Sequence, residues 1–293
     1  MFQLHLEEPL NRKFTGESGF DAIINLRGRV FREKEGRRTQ RCTIDGRTYF
    51  VKSHYGVGWF EILKNLLYGR FPVLGARVEW QAIQRLRSLG VDSLTIRGFG
   101  ERGNNPAKRQ SFLITDELEA MVSLEQYCIR RTLDCWTRRQ RRVVIHKIAR
   151  IAATLHENGM NHRDFYLAHF LFRAEELDDA NPERLRLYLI DLHRVQMRRR
   201  TPRRWLVKDL GGLMFSAMDV GLTRGDCLRF LRAYCNRPLR EILRREGSFW
   251  KAVVRKAVRL YQKHSTSPVA PGLQWALEYC ECARTTNEPS TAA

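Results

Sequence analysis

No stretch of the 293-residue sequence approaches the roughly 18 consecutive apolar residues that a membrane span requires. The longest candidate, Leu210 to Met218, reads as a buried helix, so any membrane contact is expected to be peripheral. Acidic residues stand near the start, in Met1-Phe2-Gln3-Leu4-His5-Leu6-Glu7-Glu8-Pro9, where a secretory leader would place an apolar run. Cysteine is present but unpatterned, at positions 42, 128, 135, 227, 235, 280 and 282. The odd count and scattered spacing predict reduced thiols in a cytosolic compartment. Cys280 and Cys282 have no matching second pair and no nearby histidine cluster, which argues against a zinc site. The chain also lacks internal repeats, low-complexity segments, an RRM-like aromatic signature and a basic zipper, so no nucleic-acid partner is expected.

Acidic residues are scarce relative to basic ones, 32 against 52, for a net charge of +20. That balance implies an anionic partner, such as a nucleotide, an anionic glycolipid, a phospholipid surface or an acidic protein. The basic residues are mostly arginine and they cluster, as Arg138-Arg139 with Arg141-Arg142, and as Arg198-Arg199-Arg200 with Arg203-Arg204 and Lys208. Guanidinium forks suit bidentate capture of phosphate or carboxylate.

The length suits one large domain or two lobes sharing a cleft. Residues 22–32 read as a strand bent at Gly28. Asp45-Gly46 between strand-like runs at 40–44 and 48–53 is a hairpin signal. Trp59, Ile62, Leu63, Leu66 and Leu67 form an apolar stripe at helical spacing, and residues 76–89 form another that Gly90 ends. Strands are predicted at 94–99 and 110–115. From Ser123-Leu124-Glu125-Gln126, a capping-box start, the chain turns helical. A long helix is predicted over 138–157, short strands over 169–173 and 186–191, and helices over 207–218, 223–235, 238–245 and 248–263, with a polar tail from Asn287.

Four residues in this framework carry a chemistry by their order: Lys52 on the hairpin strand, Glu79 in the 76–89 helix, Asp164 in Asn161-His162-Arg163-Asp164, and Asp191 ending an apolar strand. Phosphoryl transfer needs a cation on nucleotide phosphates, something to hold that cation, a group that orients the acceptor hydroxyl, and a metal ligand. A three-residue His-Arg-Asp match alone is weak. In this order with Lys52, Glu79 and Asp191 it points to a kinase.

The chain resembles the lipopolysaccharide core heptose kinases from about residue 7 to about 263. The resemblance rests on Asn161 to Leu171, Pro72-Val73-Leu74-Gly75-Ala76, Glu79-Trp80, Ile190-Asp191-Leu192-His193-Arg194, Pro202-Arg203-Arg204-Trp205, Lys208-Asp209-Leu210 and Gly221-Leu222-Thr223. It implies an α+β, bilobal, protein-kinase-like fold. The β-rich N-lobe would span 1–117 and the helical C-lobe 118–263, with 264–293 a C-terminal extension. It further implies transfer of phosphate from ATP, with Mg²⁺, to a heptose of the lipopolysaccharide inner core.

By that resemblance Asp164 is the catalytic base, within a loop whose His162 and Arg163 are grouped with it. Lys52 and Glu79 serve the nucleotide phosphates, and Asp116, Glu117 and Leu118 mark the hinge beside adenine. Asp191 and His169 stand at the metal positions, and Asp209 braces the loop. The chain departs from the protein-kinase pattern in three places. His169 replaces an asparagine, Leu192-His193 follows Asp191, and Gly28 is alone where several glycines are usual. Partners implied are the lipid A-core glycolipid and the anionic cytoplasmic face of the inner membrane. Charge complementarity adds an acidic protein such as an acyl carrier protein. The alternatives are a kinase for the octulosonic acid of the core or for protein tyrosine and, in another class, a pseudokinase or a nucleic-acid-binding protein.

Overall fold

The computed structural model describes residues 2–34, 36–68, 73–131, 135–179, 181–264 and 273–276. Pro72, the Cys280/Cys282 pair and most of the 264–293 extension lie outside the described residues. Two compact units emerge: Met1–Glu119 with Asp191–Val195, and Ala120–Ile190 with Gln196–Ala293. The first is built on a sheet and the second is mainly helical, which is the α+β class expected.

In chain order the first unit holds β1 (Phe2–Leu6), α1 (Leu10–Lys13), α2 (Gly16–Ile24), β2 (Arg29–Lys34), β3 (Arg37–Ile44), β4 (Arg47–His54), α3 (Gly58–Leu67), α4 (Arg77–Ser88), β5 (Ile96–Arg102) and β6 (Gln110–Asp116). One six-stranded antiparallel sheet results, in the order β1-β5-β6-β4-β3-β2. The predicted hairpin forms between β3 and β4, with Asp45 and Gly46 both at positive φ (49° and 76°) as a tight primed turn requires.

The predicted strand across residues 22–32 does not form as one element. Its first part is the end of α2, because Phe20, Ile23 and Ile24 share a helical face that is buried with Tyr49, Val51, Phe112 and Ile114. Burial of that face outweighs the β preference of Ile23-Ile24. Gly28 follows, where a Cβ would stand 2.2 Å from the Arg41 carbonyl oxygen, so its smallness serves the close passage of β3.

The second unit runs β7 (Val122–Ser123), α5 (Leu124–Arg130), α6 (Arg138–Glu157), β8 (Met160–Asn161), β9 (Phe170–Phe172), α7 (Ala174–Asp178), β10 (Tyr188–Leu189), β11 (Gln196–Met197), α8 (Arg203–Ser216), α9 (Arg224–Cys235) and α10 (Leu239–His264). Ser123 caps α5 by accepting the Gln126 N–H, while full capping boxes start α6 at Thr137/Gln140 and α9 at Thr223/Asp226. The helices expected at 238–245 and 248–263 are one helix running through Gly247. A mid-helix glycine costs about 1 kcal/mol. Ile242, Phe249, Trp250, Val253, Ala257 and Val258 are buried along α10 and outweigh that cost. No helix among the described residues is long and apolar enough to cross a membrane.

Candidate active site

In the sheet unit, Lys52 lies on β4, the strand between β3 and β6. Its ammonium Nζ donates to Glu79 Oε1 at 2.5 Å. The partner is placed by α4, which is locked to the sheet on either side of it. Arg77 makes a bidentate pair with the buried Glu101, and Trp80 stacks on Phe99 at 4.3 Å. Glu79 is only 2% exposed, so its charge depends on Lys52 for compensation. Burial pulls the Lys52 ammonium down. The charge and hydrogen bond of Glu79, with the charge of Asp191, more than offset this, and its pKa ends above the ordinary lysine value. Lys52 is therefore a fixed cation.

Asp191 sits in the left-handed region (φ 62°, ψ 50°), where a non-glycine residue is uncommon. The backbone there breaks from strand into a short 3₁₀ turn over Leu192–Arg194, and His193 Nδ1 donates to Asp191 Oδ1 at 2.5 Å. A carboxylate so held is a hard oxygen donor suited to Mg²⁺, which takes one or two protein carboxylates together with substrate phosphates.

His54, two residues beyond Lys52, is a functional-site neighbour that the sequence reading missed. It is buried, and its Nδ1 has no hydrogen-bond partner among the described residues. Burial first, then the charges of Arg37, Lys52 and His193, lower its pKa to about 3. The unfolded chain therefore takes up a proton that the folded one refuses between about pH 6.5 and 3, and stability falls as pH falls through that window. His54 alone is expected to withdraw about 2 kcal/mol between pH 7.5 and 5. Urea titrations of wild type and His54→Gln across this range check it. An equal pH slope in both proteins would remove His54 as the cause.

The expected hinge residues are present, but their side chains are engaged. Arg97 grips both oxygens of Asp116, and Arg41 donates twice to Glu117. A nucleotide at Asp116, Glu117 and Leu118 is left the backbone groups.

In the helical unit, β8 pairs with β11 and delivers Asn161 to Asp164. Gly159 precedes it at φ 73°, with its carbonyl accepting the Arg198 N–H at 2.9 Å. A Cβ there would collide with the Arg198 carbonyl, so glycine is obligatory. Asp209, fully buried on α8, accepts the backbone N–H groups of His162 at 2.6 Å and Arg163 at 2.8 Å. That double acceptance holds Arg163 at φ 75°, an unfavourable conformation for its residue type. The expectation that Asp209 is a brace agrees with this geometry. Behind it, His156 Nε2 stands 3.5 Å from Asp209 and His156 Nδ1 lies 2.8 Å from the Tyr234 hydroxyl.

His162 and Arg163, grouped with Asp164 as catalytic from the sequence, are both buried. His162 is fully buried, and its Nε2–H donates to the Ile190 carbonyl at 3.0 Å. The Arg163 guanidinium lies over the Trp205 ring. Asp164 is half-buried and is the loop's accessible carboxylate. His169 Nδ1 donates to the Asp164 backbone carbonyl at 2.7 Å, and its ring stacks on His162. A carbonyl can only accept, so this nitrogen carries its proton and cannot bind metal. That tautomer leaves Nε2 as the ring nitrogen able to meet a metal ion, while imidazole suits Mg²⁺ less well than an oxygen donor. Among the described residues no group of three His, Cys, Asp or Glu converges to hold a metal ion.

Sequence reasoning also missed a cationic stack centred on Trp205. Arg163, Arg198, Arg204 and Lys208 lie 5.4, 5.7, 5.6 and 5.2 Å from its ring centroid. Arg198 also donates to Asn161 Oδ1 at 2.7 Å, tying the arginine run to the Asn161–Asp164 loop. The i+3 spacing of Lys208 from Trp205 on α8 is the sequence signal that could have revealed part of it. Elsewhere in this unit a cavity of about 460 Å³ is lined by apolar side chains including Cys128, Ile148, Met214, Phe230, Trp250 and Trp275.

The lipopolysaccharide kinase (Kdo/WaaP) family profile matches residues 21–234. The chain is 48% identical over 266 residues to the lipopolysaccharide core heptose(I) kinase WaaP of Pseudomonas aeruginosa, covering 89% of this chain and 97% of that protein. It is 43% identical over 260 residues to the protein of the same name from Escherichia coli, again covering 89% and 97%. A solved structure titled WaaP in complex with acyl carrier protein is 45% identical, covers 88% of this chain and 99% of that one, and superposes with a TM-score of 0.74. This chain belongs to the lipopolysaccharide kinase (Kdo/WaaP) family.

Proposed function

We propose that the chain is a phosphotransferase that moves the γ-phosphoryl group of ATP to a hydroxyl of the first heptose of the lipopolysaccharide inner core. The observation that carries the chemistry is the fixed Lys52–Glu79 pair and the Asp191 carboxylate in one unit, with Asp164 on a loop braced by Asp209 in the other. Lys52 neutralises the α- and β-phosphates. Asp164 orients the acceptor hydroxyl and accepts its proton as that oxygen bonds to the γ-phosphorus, while the bond from phosphorus to the bridging oxygen breaks and ADP leaves. Mg²⁺, which Asp191 would hold, supplies charge neutralisation at the phosphate oxygens.

The arginines stacked about Trp205 beside the catalytic loop suit capture of the acceptor's phosphates and acidic sugars. Such an acceptor is assembled on the cytoplasmic face of the inner membrane, and a chain of +20 suits that anionic surface. The deciding experiment incubates the purified protein with ATP, Mg²⁺ and dephosphorylated core acceptor, and reads product mass and linkage position. Phosphate on the first heptose is expected. Phosphate on the octulosonic acid instead would replace this acceptor, and no transfer would overturn the reading. In the same assay Arg204→Glu is expected to raise acceptor KM about tenfold with ATP KM unchanged. An unchanged acceptor KM would remove the arginines from acceptor binding.

An acyl carrier protein is a second partner in this reading. The structural relative's title and the apolar cavity support it, the cavity being of a size that ordinary ligand pockets have. Intact mass of the material copurifying from the native host checks it.

A further inference from the structure

Helix α3 is inside out. On a surface helix the apolar stripe faces the core and polar residues face water. Here Trp59, Phe60, Leu63, Leu66 and Leu67 are exposed, together with Tyr68 just beyond the helix, with Phe60 at 80% and Leu67 at 87%. At 100° per residue the five helical positions fall within an arc of about 120°. The opposite side carries the buried Ile62 and the half-buried Glu61 and Asn65, which hydrogen-bond to each other. The apolar arc is therefore exposed among the described residues. A contiguous patch of this kind marks an interaction surface.

We propose that α3 is the element that seats the protein in an anionic phospholipid bilayer, its Trp-Phe-Leu face lying in the interface plane. Three observations favour a bilayer over a protein partner. The face combines aromatic rings with leucines, the composition of interfacial helices and aromatic belts. A ten-residue helix is about 15 Å long and alone is too small for the ~800 Å² per partner of a standard protein interface. Its surroundings are basic. Lys64 on the helix is exposed, 3.5 Å from Glu61, and Lys108 is exposed too, its neighbour Ala107 accepting the Gly58 N–H at the start of α3. The chain as a whole carries +20. Cations beside an inserted apolar face match anionic headgroups. The choice of bilayer rests on the proposed lipid-linked acceptor; the outward face of α3 does not.

The test uses the full chain and the double variant Phe60→Glu/Leu67→Glu, whose positions are too exposed to support the fold. Cosedimentation is measured with vesicles of phosphatidylethanolamine and phosphatidylglycerol, and with phosphatidylcholine vesicles. Wild type is expected to bind the anionic vesicles at least tenfold better than the neutral ones. The double variant should lose at least tenfold of that binding while retaining turnover of a lipid-free core saccharide. Undiminished binding by the variant, or equal wild-type binding to both vesicles, overturns the proposal. A variant that changes only the oligomeric state, by light scattering, assigns the face to a second copy and overturns it too. Wild type that binds vesicles through α3 but phosphorylates no core acceptor would leave this inference standing and remove the proposed function.

Discussion

Asp164→Asn is expected to lower kcat by about 10²–10⁴ while nucleotide affinity and melting temperature stay near wild type. The expectation follows from how the loop is held. Three bonds that shape the loop are made to its backbone and do not use the Asp164 side chain. Asp209 fixes the two preceding N–H groups, and His169 fixes the Asp164 backbone carbonyl. An asparagine is nearly the same size and leaves those bonds in place. It cannot accept the acceptor's proton as a carboxylate does. The loss should therefore appear in turnover and not in stability. Asp191→Asn supplies the contrast, weakening Mg²⁺-dependent nucleotide binding. Single-turnover rates, nucleotide titration and thermal unfolding of the same preparations separate the two. Full turnover by Asp164→Asn would overturn the assignment of the base.

The second large effect concerns Lys52 and Glu79, where stability and chemistry are coupled. Lys52→Met should reduce kcat/KM for ATP by about 10²-fold or more, because a cation aimed at the phosphates is gone. It should also destabilise the protein by about 3 kcal/mol, since Glu79 is buried and left uncompensated. Adding Glu79→Leu removes that orphaned carboxylate. The double variant Lys52→Met/Glu79→Leu is expected to regain most of the lost stability and none of the lost activity. Denaturant unfolding and ATP kinetics on both variants decide it. Recovery of activity in the double variant would mean that Lys52 acts only as a structural counter-ion.

What the sequence makes legible differs between backbone and site. The β3–β4 hairpin, α4 and α6 are marked by local signals: Asp45-Gly46, the stripe ending at Gly90, and the stripe ending at Asn158-Gly159. Local signals mislead where packing overrides them. Ile23-Ile24 favours a strand and Gly247 favours a break, yet buried faces keep both helical. Strand β1 goes unread because its place at the sheet edge depends on pairing with β5, about ninety residues later. The approach of Lys52 to Glu79 is legible from residue type and order, since a charged residue within an apolar element needs a partner. The inward turn of His162, the ring nitrogen of His169 committed to a carbonyl, and the Arg97 and Arg41 grips on Asp116 and Glu117 are not. All but the His169 contact, made five residues away, depend on a donor or acceptor distant in sequence. The outward face of α3 is the sharpest case. Its spacing announces a helix, but periodicity does not say which side is wet.

The dependence of the Asn161–Asp164 segment on Asp209 bears on its portability. The tetrapeptide does not encode its own shape: the left-handed Arg163 is tolerated because an acceptor 46 residues away in sequence claims its amide. Transplanted onto another scaffold, the four residues would carry a carboxylate but not its aim. A designer borrowing this motif would have to bring the buried aspartate and its helix as well.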